Sequence, residues 1–228
     1  MEVQAPSTIM KWVSYGPNAW LLRFAEKLGD ETFAQGRAIA RELELHPPEG
    51  LVEFIPAFTS VLLEFDPRLA AAPNLKAIAS QLGKAVRAKP QLPRLVEIPV
   101  IYDGPDLERV AQSHRLTVTD VIRLHSQTTY KVYMLGFSPG FPYLGDLDEQ
   151  LHTPRLPSPR TRVPAGSVAI GGEHTGIYSV DSPGGWNIIG HTPRKLFDPT
   201  AAPADDRAET AFLLKPGDCV RFVAARKR

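Results

Sequence analysis

Residues 169–193 read AIGGEHTGIYSVDSPGGWNIIGHTP, and their character decides the architecture of the second half of the chain. Helical periodicity is absent. Apolar residues come in short runs broken by Gly171-Gly172, Gly176, Gly184-Gly185 and Gly190. Short apolar runs between turn residues mark the strands of a barrel or sandwich. The flanks continue the pattern: RVPAGSVAIGG from Arg162, TGIYSV from Thr175, WNIIGHTP from Trp186 and DCVRFVAAR from Asp218. The stretch from Gly136 to Pro199 holds ten of the 17 glycines and nine of the 22 prolines, so turns dominate there and regular structure dominates elsewhere.

The first 95 residues read differently. WVSYGPNAWLLRF is a strand, or two strands around Gly16-Pro17. DETFAQGRAIARELEL has helical spacing at Phe33, Ile39, Ala40 and Leu43, with Asp30 as its expected N-cap. GLVEFIPAFTSVLLEFD returns to strand, broken at Pro56, with Val61, Leu63 and Phe65 alternating. NLKAIASQLGKAVRAK is a second amphipathic helix, capped by Asn74. That order predicts an α+β N-terminal domain, helices on one face of a sheet, over residues 1–93. A proline-punctuated linker, Lys89 to Arg94, separates it from a second domain over 94–228. This opens with the strand LVEIPVIYDG, then a short helix starting at Pro105, then TVTDVIRLHSQTTY, where Thr117 and Asp120 are placed as a capping box. KVYMLGF is a buried strand leading into the glycine-rich half.

Composition limits the function classes. Net charge is +1 from 26 basic and 25 acidic side chains, which offers no bulk field for nucleic acid or membrane. The single cysteine, Cys219, has no internal disulfide partner, and neither a signal peptide nor a run of ~20 apolar residues is read, so a cytoplasmic location is expected. The two helices after Pro105 imitate a helix-turn-helix. The second offers only Arg123 for phosphate contact, which argues for a helical pair covering a barrel mouth. His152, His174 and His191 lack metal-site spacing, and no metal is expected.

GFSPG at Gly136–Gly140 matches the nucleophile-elbow pattern. The residue after Ser138 is Pro139, which has no N–H for an oxyanion hole, and no helix follows. The alternative is a tight turn, with Phe137, Phe141 and Tyr143 offering flat faces to a pocket or to a core. In TPRLPSPRTRVPAGS, prolines 154, 157, 159 and 164 hold the backbone extended and put Arg160 and Arg162 on one face. Such guanidiniums suit carboxylate or phosphate. A solvated edge strand reads equally well. The glycine clusters either turn N–H groups toward an anion or supply the turns between strands; three clusters with Trp186 among them favour a lined site.

The block VYMLGFSPGFPYLGDLDEQLHTPRLPSPRTRVPAGSVAIGGEHTGIYSVDSPGGWNIIGHTPRKLFDP resembles the family of the 5-oxoprolinase B subunit, which includes KipI-type kinase inhibitors and chains named allophanate hydrolase subunit 1. Similarity extends to GLVEFIPAFTSVLLEFDP upstream and LLKPGDCVRF downstream. The resemblance implies a mainly-β cyclophilin-like barrel after the α+β domain. It implies two partners, a C-type or KipA-type chain and an A-type, LamB/YcsF-like chain. Together they would form a heteromeric complex that cleaves 5-oxo-L-proline to L-glutamate with ATP. It also leaves two alternatives: a KipI-type inhibitor of a sensor histidine kinase, and a subunit handling a urea- or allophanate-type amide.

Activating a lactam by phosphorylating its amide oxygen calls for fixed donors toward the developing charge. Arg160 and Arg162 are the expected catalytic donors, joined by His191, which stands where the family carries arginine. Arg155 is a weaker candidate donor and an expected substrate contact. Substrate contacts are expected from Phe137, Gly140 and Tyr143, from Gly166 and Ser167, from Gly172, Thr175, Gly176 and Tyr178, and from Pro183, Gly184, Gly185, Trp186 and Gly190. His174 and Ser179 are two more departures, standing in place of glutamine and proline. ATP has no Walker A motif to bind, which points to a site shared with a partner.

Overall fold

A computed structural model describes residues 10–68, 73–87, 92–201 and 211–226. The chain divides into two compact units, Met1–Leu92 and Pro93–Arg228. The expected linker lies partly outside the described residues, and the start of the chain, read as lacking a signal peptide, lies outside them over 1–9.

In the first unit, β1 (Lys11–Ser14), β2 (Ala19–Arg23), β3 (Leu51–Pro56) and β4 (Ser60–Phe65) form an antiparallel sheet in the order β1-β2-β4-β3. The helices α1 (Asp30–Leu45) and α2 (Leu75–Arg87) pack on one face. Period-two alternation puts Val61, Leu63 and Phe65 on that face, against Ile39 and Leu43 of α1 and Ile78 and Leu82 of α2. Asn74 caps α2 through Oδ1, which accepts the Ala77 N–H at 3.1 Å. Asp30 departs from its expected role: it is the first helical residue after Gly29, and its carboxylate meets the positive end of the helix there.

The second unit is a seven-stranded sheet: β5 (Leu95–Val100), β6 (Thr129–Leu135), β7 (Pro142–Gly145), β9 (Ser167–Gly171), β10 (His174–Ile177), β12 (Asn187–His191) and β13 (Cys219–Ala224), ordered β12-β9-β10-β7-β6-β13-β5. Among the described residues, β5 and β13 are the one parallel pair. The sheet curls until its edges touch: Ile101, just past β5, bridges His191 at the end of β12 through two N–H···O bonds of 2.9 Å. Two helices, α3 (Leu107–Ser113) and α4 (Val118–Gln127), add Val110, Ala111, Val121 and Leu124 to a core that includes Ile98, Val168, Ile170 and Phe222. Thr117 and Asp120 form the capping box of α4. α3 is preceded by Asp106, with Pro105 one residue outside the cap. β8 (Arg160–Val163) and β11 (Ser182–Gly184) make a separate two-stranded ribbon.

Candidate functional site

The glycine-rich stretch builds a second packed layer, made of Phe141, Val163, Ala169, Tyr178, Trp186 and Ile188. Its glycines are spaces for rings. A Cβ on Gly171 would lie 2.5 Å from the Trp186 indole, and one on Gly176 would lie 2.9 Å from the Phe141 ring. One on Gly184 would meet the Tyr178 hydroxyl at 2.1 Å. Trp186, expected as a cavity wall, is only 5% exposed. Burial raises the pKa of the neighbouring Tyr178 hydroxyl. The expected nest of amides is therefore largely a seat for aromatic side chains.

Several other expected contacts are structural in place. Thr175 is fully buried, and its hydroxyl donates to the Ala169 carbonyl at 3.0 Å. It accepts from His125 Nε2 at 2.9 Å, while the Tyr102 hydroxyl donates to His125 Nδ1 at 2.8 Å. Burial holds the imidazole neutral, with its pKa lowered to about 3. Ser167 is buried in β9, and its carbonyl accepts the Tyr178 N–H at 2.9 Å. Gly190 lets β12 pass the Ile101 carbonyl, which a Cβ would approach to 2.5 Å. A Cβ on Gly166 would lie 2.6 Å from the Thr192 carbonyl, and Gly140 packs beside Phe197 and Phe212. The Gly185 carbonyl accepts the Leu156 N–H at 2.7 Å, and Pro183 and Gly172 are on the surface ribbon and turn.

The cations sort by what they touch. Arg160 is half-buried and donates to Asp106 at 2.8 Å. The other oxygen of Asp106 accepts the Ile188 N–H at 2.7 Å, so this pair pins the ribbon to β12. Arg162 is 76% exposed and held by Asp181 at 2.6 Å. The Asp181 carboxyl also accepts the Ala165 N–H, and these two donors hold it below the usual carboxylate range. Arg160 and Arg162 thus do not converge on one point. His191 pairs with Asp103 at 2.7 Å, beside a cavity of about 430 Å³ lined by Tyr102, Asp103, Glu108 and Val118. Arg155 differs from all of these. It lies over the Trp186 ring at 5.8 Å, is exposed, and has no carboxylate within ion-pair reach among the described residues.

Next to this guanidinium the aromatic layer reaches the surface. Tyr143 lies 6.0 Å from Trp186 and 5.2 Å from Phe141. Phe137 stands 5.5 Å from Phe141 and is 61% exposed. Its backbone has φ 66°, and the Ser138 N–H donates to the Gly136 carbonyl at 2.7 Å. That is a γ-turn with the central residue on the positive side, a form that is rare for any side chain. Such strain costs about 1–3 kcal/mol. Sequence reasoning identified the turn and missed its strain, since positive φ is expected of glycine and not of phenylalanine. It also missed Asp106 and Asp181, because their partners are distant in sequence.

Comparison with known proteins places this geometry. Residues 10–205 match the family described as carboxyltransferase domain, subdomain C and D. The chain is 39% identical over 222 residues to the 5-oxoprolinase B subunit of Bacillus subtilis (strain 168), spanning 91% of this chain and 90% of that one. It is similar to the crystal structure of TTHA0988, with TM-score 0.79 and 41% identity over 92% of this chain, and it spans 40% of that longer chain. The Kluyveromyces lactis urea carboxylase shares the fold at TM-score 0.69 and 21% identity, over 95% of this chain and 22% of that one. Among the described residues no group of acidic, histidine and cysteine side chains is arranged to hold a metal, and no helix is long and apolar enough to cross a membrane.

Proposed function

The chain belongs to the 5-oxoprolinase B-subunit family, and from that premise we propose that it works in the cytoplasm with A-type and C-type partners to hydrolyse 5-oxo-L-proline to L-glutamate. On this reading the curled sheet is a cyclophilin-like barrel, and the surface around Arg155 is its share of the active site. The observation that carries the reading is a guanidinium stacked on Trp186 beside the Tyr143 edge, with no carboxylate partner among the described residues. One fixed cation beside an apolar wall matches one carboxylate on a small ring.

ATP fits these residues poorly. A triphosphate calls for several converging donors, and here Arg160 and Arg162 are bonded to Asp106 and Asp181. The nucleotide is therefore assigned to a partner. Arg155 binds and orients the substrate carboxylate, Tyr143 bounds the ring, and Arg160 keeps the ribbon in place through Asp106. His191 stays with Asp103, outside the reacting centre.

Glutamate release from 5-oxoproline and ATP, measured with all three kinds of chain and with each omitted in turn, tests the proposal. Release that vanishes when this chain is left out supports it. Undiminished release without this chain overturns it.

A further inference from the structure

We propose that the helix-free face of the first unit's sheet is a dimer interface, on which a second copy of this chain lies across a diagonal two-fold axis. The inference is independent of the reaction proposed above.

Strand alternation sends Trp12, Trp20, Leu22, Leu63 and Phe54 to the helix side of the sheet. The residues between them occupy the other face, and strand pairing aligns them in rows. Val13 pairs with Leu21, Leu21 with Leu62, and Leu62 with Ile55, so one apolar row crosses all four strands. Val13 and Ile55 are exposed, and the two leucines between them are half-buried. A continuous apolar row on open sheet surface, flanked by charge, has the character of an interaction surface.

The flanking rows carry that charge unevenly. On one side Lys11 pairs directly with Arg23, and on the other Glu64 pairs directly with Glu53. The cations lie on β1 and β2 and the acids on β4 and β3, so the two pairs occupy opposite corners of the face. Like charges directly opposite on a ladder are destabilising, and this face has two such pairs. None of the four side chains has an ion pair among the described residues, although the Glu64 carboxylate accepts from Asn18 Nδ2 at 3.2 Å. Each pair lacks the charge that the other carries.

A second copy can supply it to both. Three strand spacings of about 4.8 Å and four residue rises of about 3.4 Å each come to about 14 Å, so the patch is nearly square. A two-fold axis along its uncharged diagonal, from Tyr15 to the β3–β4 turn at Ala57, turns the square onto itself. The cationic corner of each copy then lies on the acidic corner of the other, twice over by symmetry. The apolar rows cross at the centre, between Leu21 and Leu62, and the strands cross near a right angle, which is the orthogonal form of sheet packing. Tyr15 falls on the axis. Its ring is 66% exposed, and its N–H donates to the Ala19 carbonyl at 2.9 Å, which holds it at the end of the β1–β2 ladder. There it meets its own copy. A face of this size makes a weak dimer, with an expected dissociation constant of about 1–100 µM.

Sedimentation velocity of the full chain over about 1–300 µM tests the proposal. Wild type should pass from monomer to dimer as concentration rises. Two double variants follow, Lys11→Glu with Arg23→Glu, and separately Glu53→Lys with Glu64→Lys. Each exchanges one like-charge pair for another at exposed positions, so the melting temperature should stay close to wild type while self-association weakens at least tenfold. Mixing the two double variants should restore association to within about threefold of wild type. Tyr15→Ala should weaken self-association at least fivefold. A wild type that stays monomeric throughout overturns the proposal and leaves the face to another partner. A dimer indifferent to both charge reversals and to Tyr15→Ala also overturns it, because its interface then lies elsewhere. Folded double variants that fail to associate when mixed would show that the charged corners do not meet, with the same result. Should the charge variants lose the fold, Tyr15→Ala decides: weakened association supports the interface, and unchanged association overturns it.

Discussion

Side chains of the same type have different fates in this protein, and contact explains the differences. Three arginines lie within eight residues, at 155, 160 and 162. The period of two groups Arg160 with Arg162, and nothing in their spacing announces the separate carboxylates that claim them. His125 makes the same point. Its sequence context places it in a helix and says no more, yet it is the fully buried link between Tyr102 and Thr175. Its folded pKa of about 3 lies below the ordinary 6.5, so the unfolded state takes up the proton first. Stability must then rise with pH across that window and be lost as pH falls below about 6.5, by up to roughly 1.4 kcal/mol per unit. Urea midpoints of the second unit between pH 7 and pH 4 should show this slope, and His125→Gln should flatten it. Parallel profiles for the two proteins would show that the imidazole is not the group responsible.

At the scale of elements, most of the fold was legible because local signals agree with tertiary demand. The alternation in SVLLEF, the Asn74 cap and the Thr117–Asp120 box each predict what forms. Glycine was the harder sign to read. A glycine that faces a ligand and a glycine that faces an indole look identical in sequence, and Gly171, Gly176 and Gly184 are each closed in by an aromatic ring. Gly171→Ala should therefore act as overpacking, destabilising by about 1–3 kcal/mol. At Gly185 a Cβ would find its nearest neighbour at 3.6 Å, an ordinary contact, and Gly185→Ala should stay within about 0.5 kcal/mol. Thermal melts of the two variants compare them directly. Equal behaviour would mean that Trp186 can withdraw from the sheet without loss.

For the molecule as a whole, three hydrophobic clusters among the described residues and a family shared with carboxyltransferase domains describe a scaffold. Its chemistry depends on what assembles around it. The resemblance carried by GFSPGFPYL and SPGGWNIIG identified that family, and Arg155 was among the candidate cations in the sequence; its place over Trp186 without a carboxylate partner among the described residues is what three dimensions add. The decisive measurement is steady-state glutamate release by the reconstituted complex carrying Arg155→Ala or Arg162→Ala. Loss of a hydrogen bond to a charged group is worth about 1.5–3 kcal/mol, so Arg155→Ala should raise KM for 5-oxoproline at least tenfold. An exposed ion pair is worth about 0–1 kcal/mol, so Arg162→Ala should leave KM within about fivefold. A large loss at Arg162 with none at Arg155 would contradict the site described here.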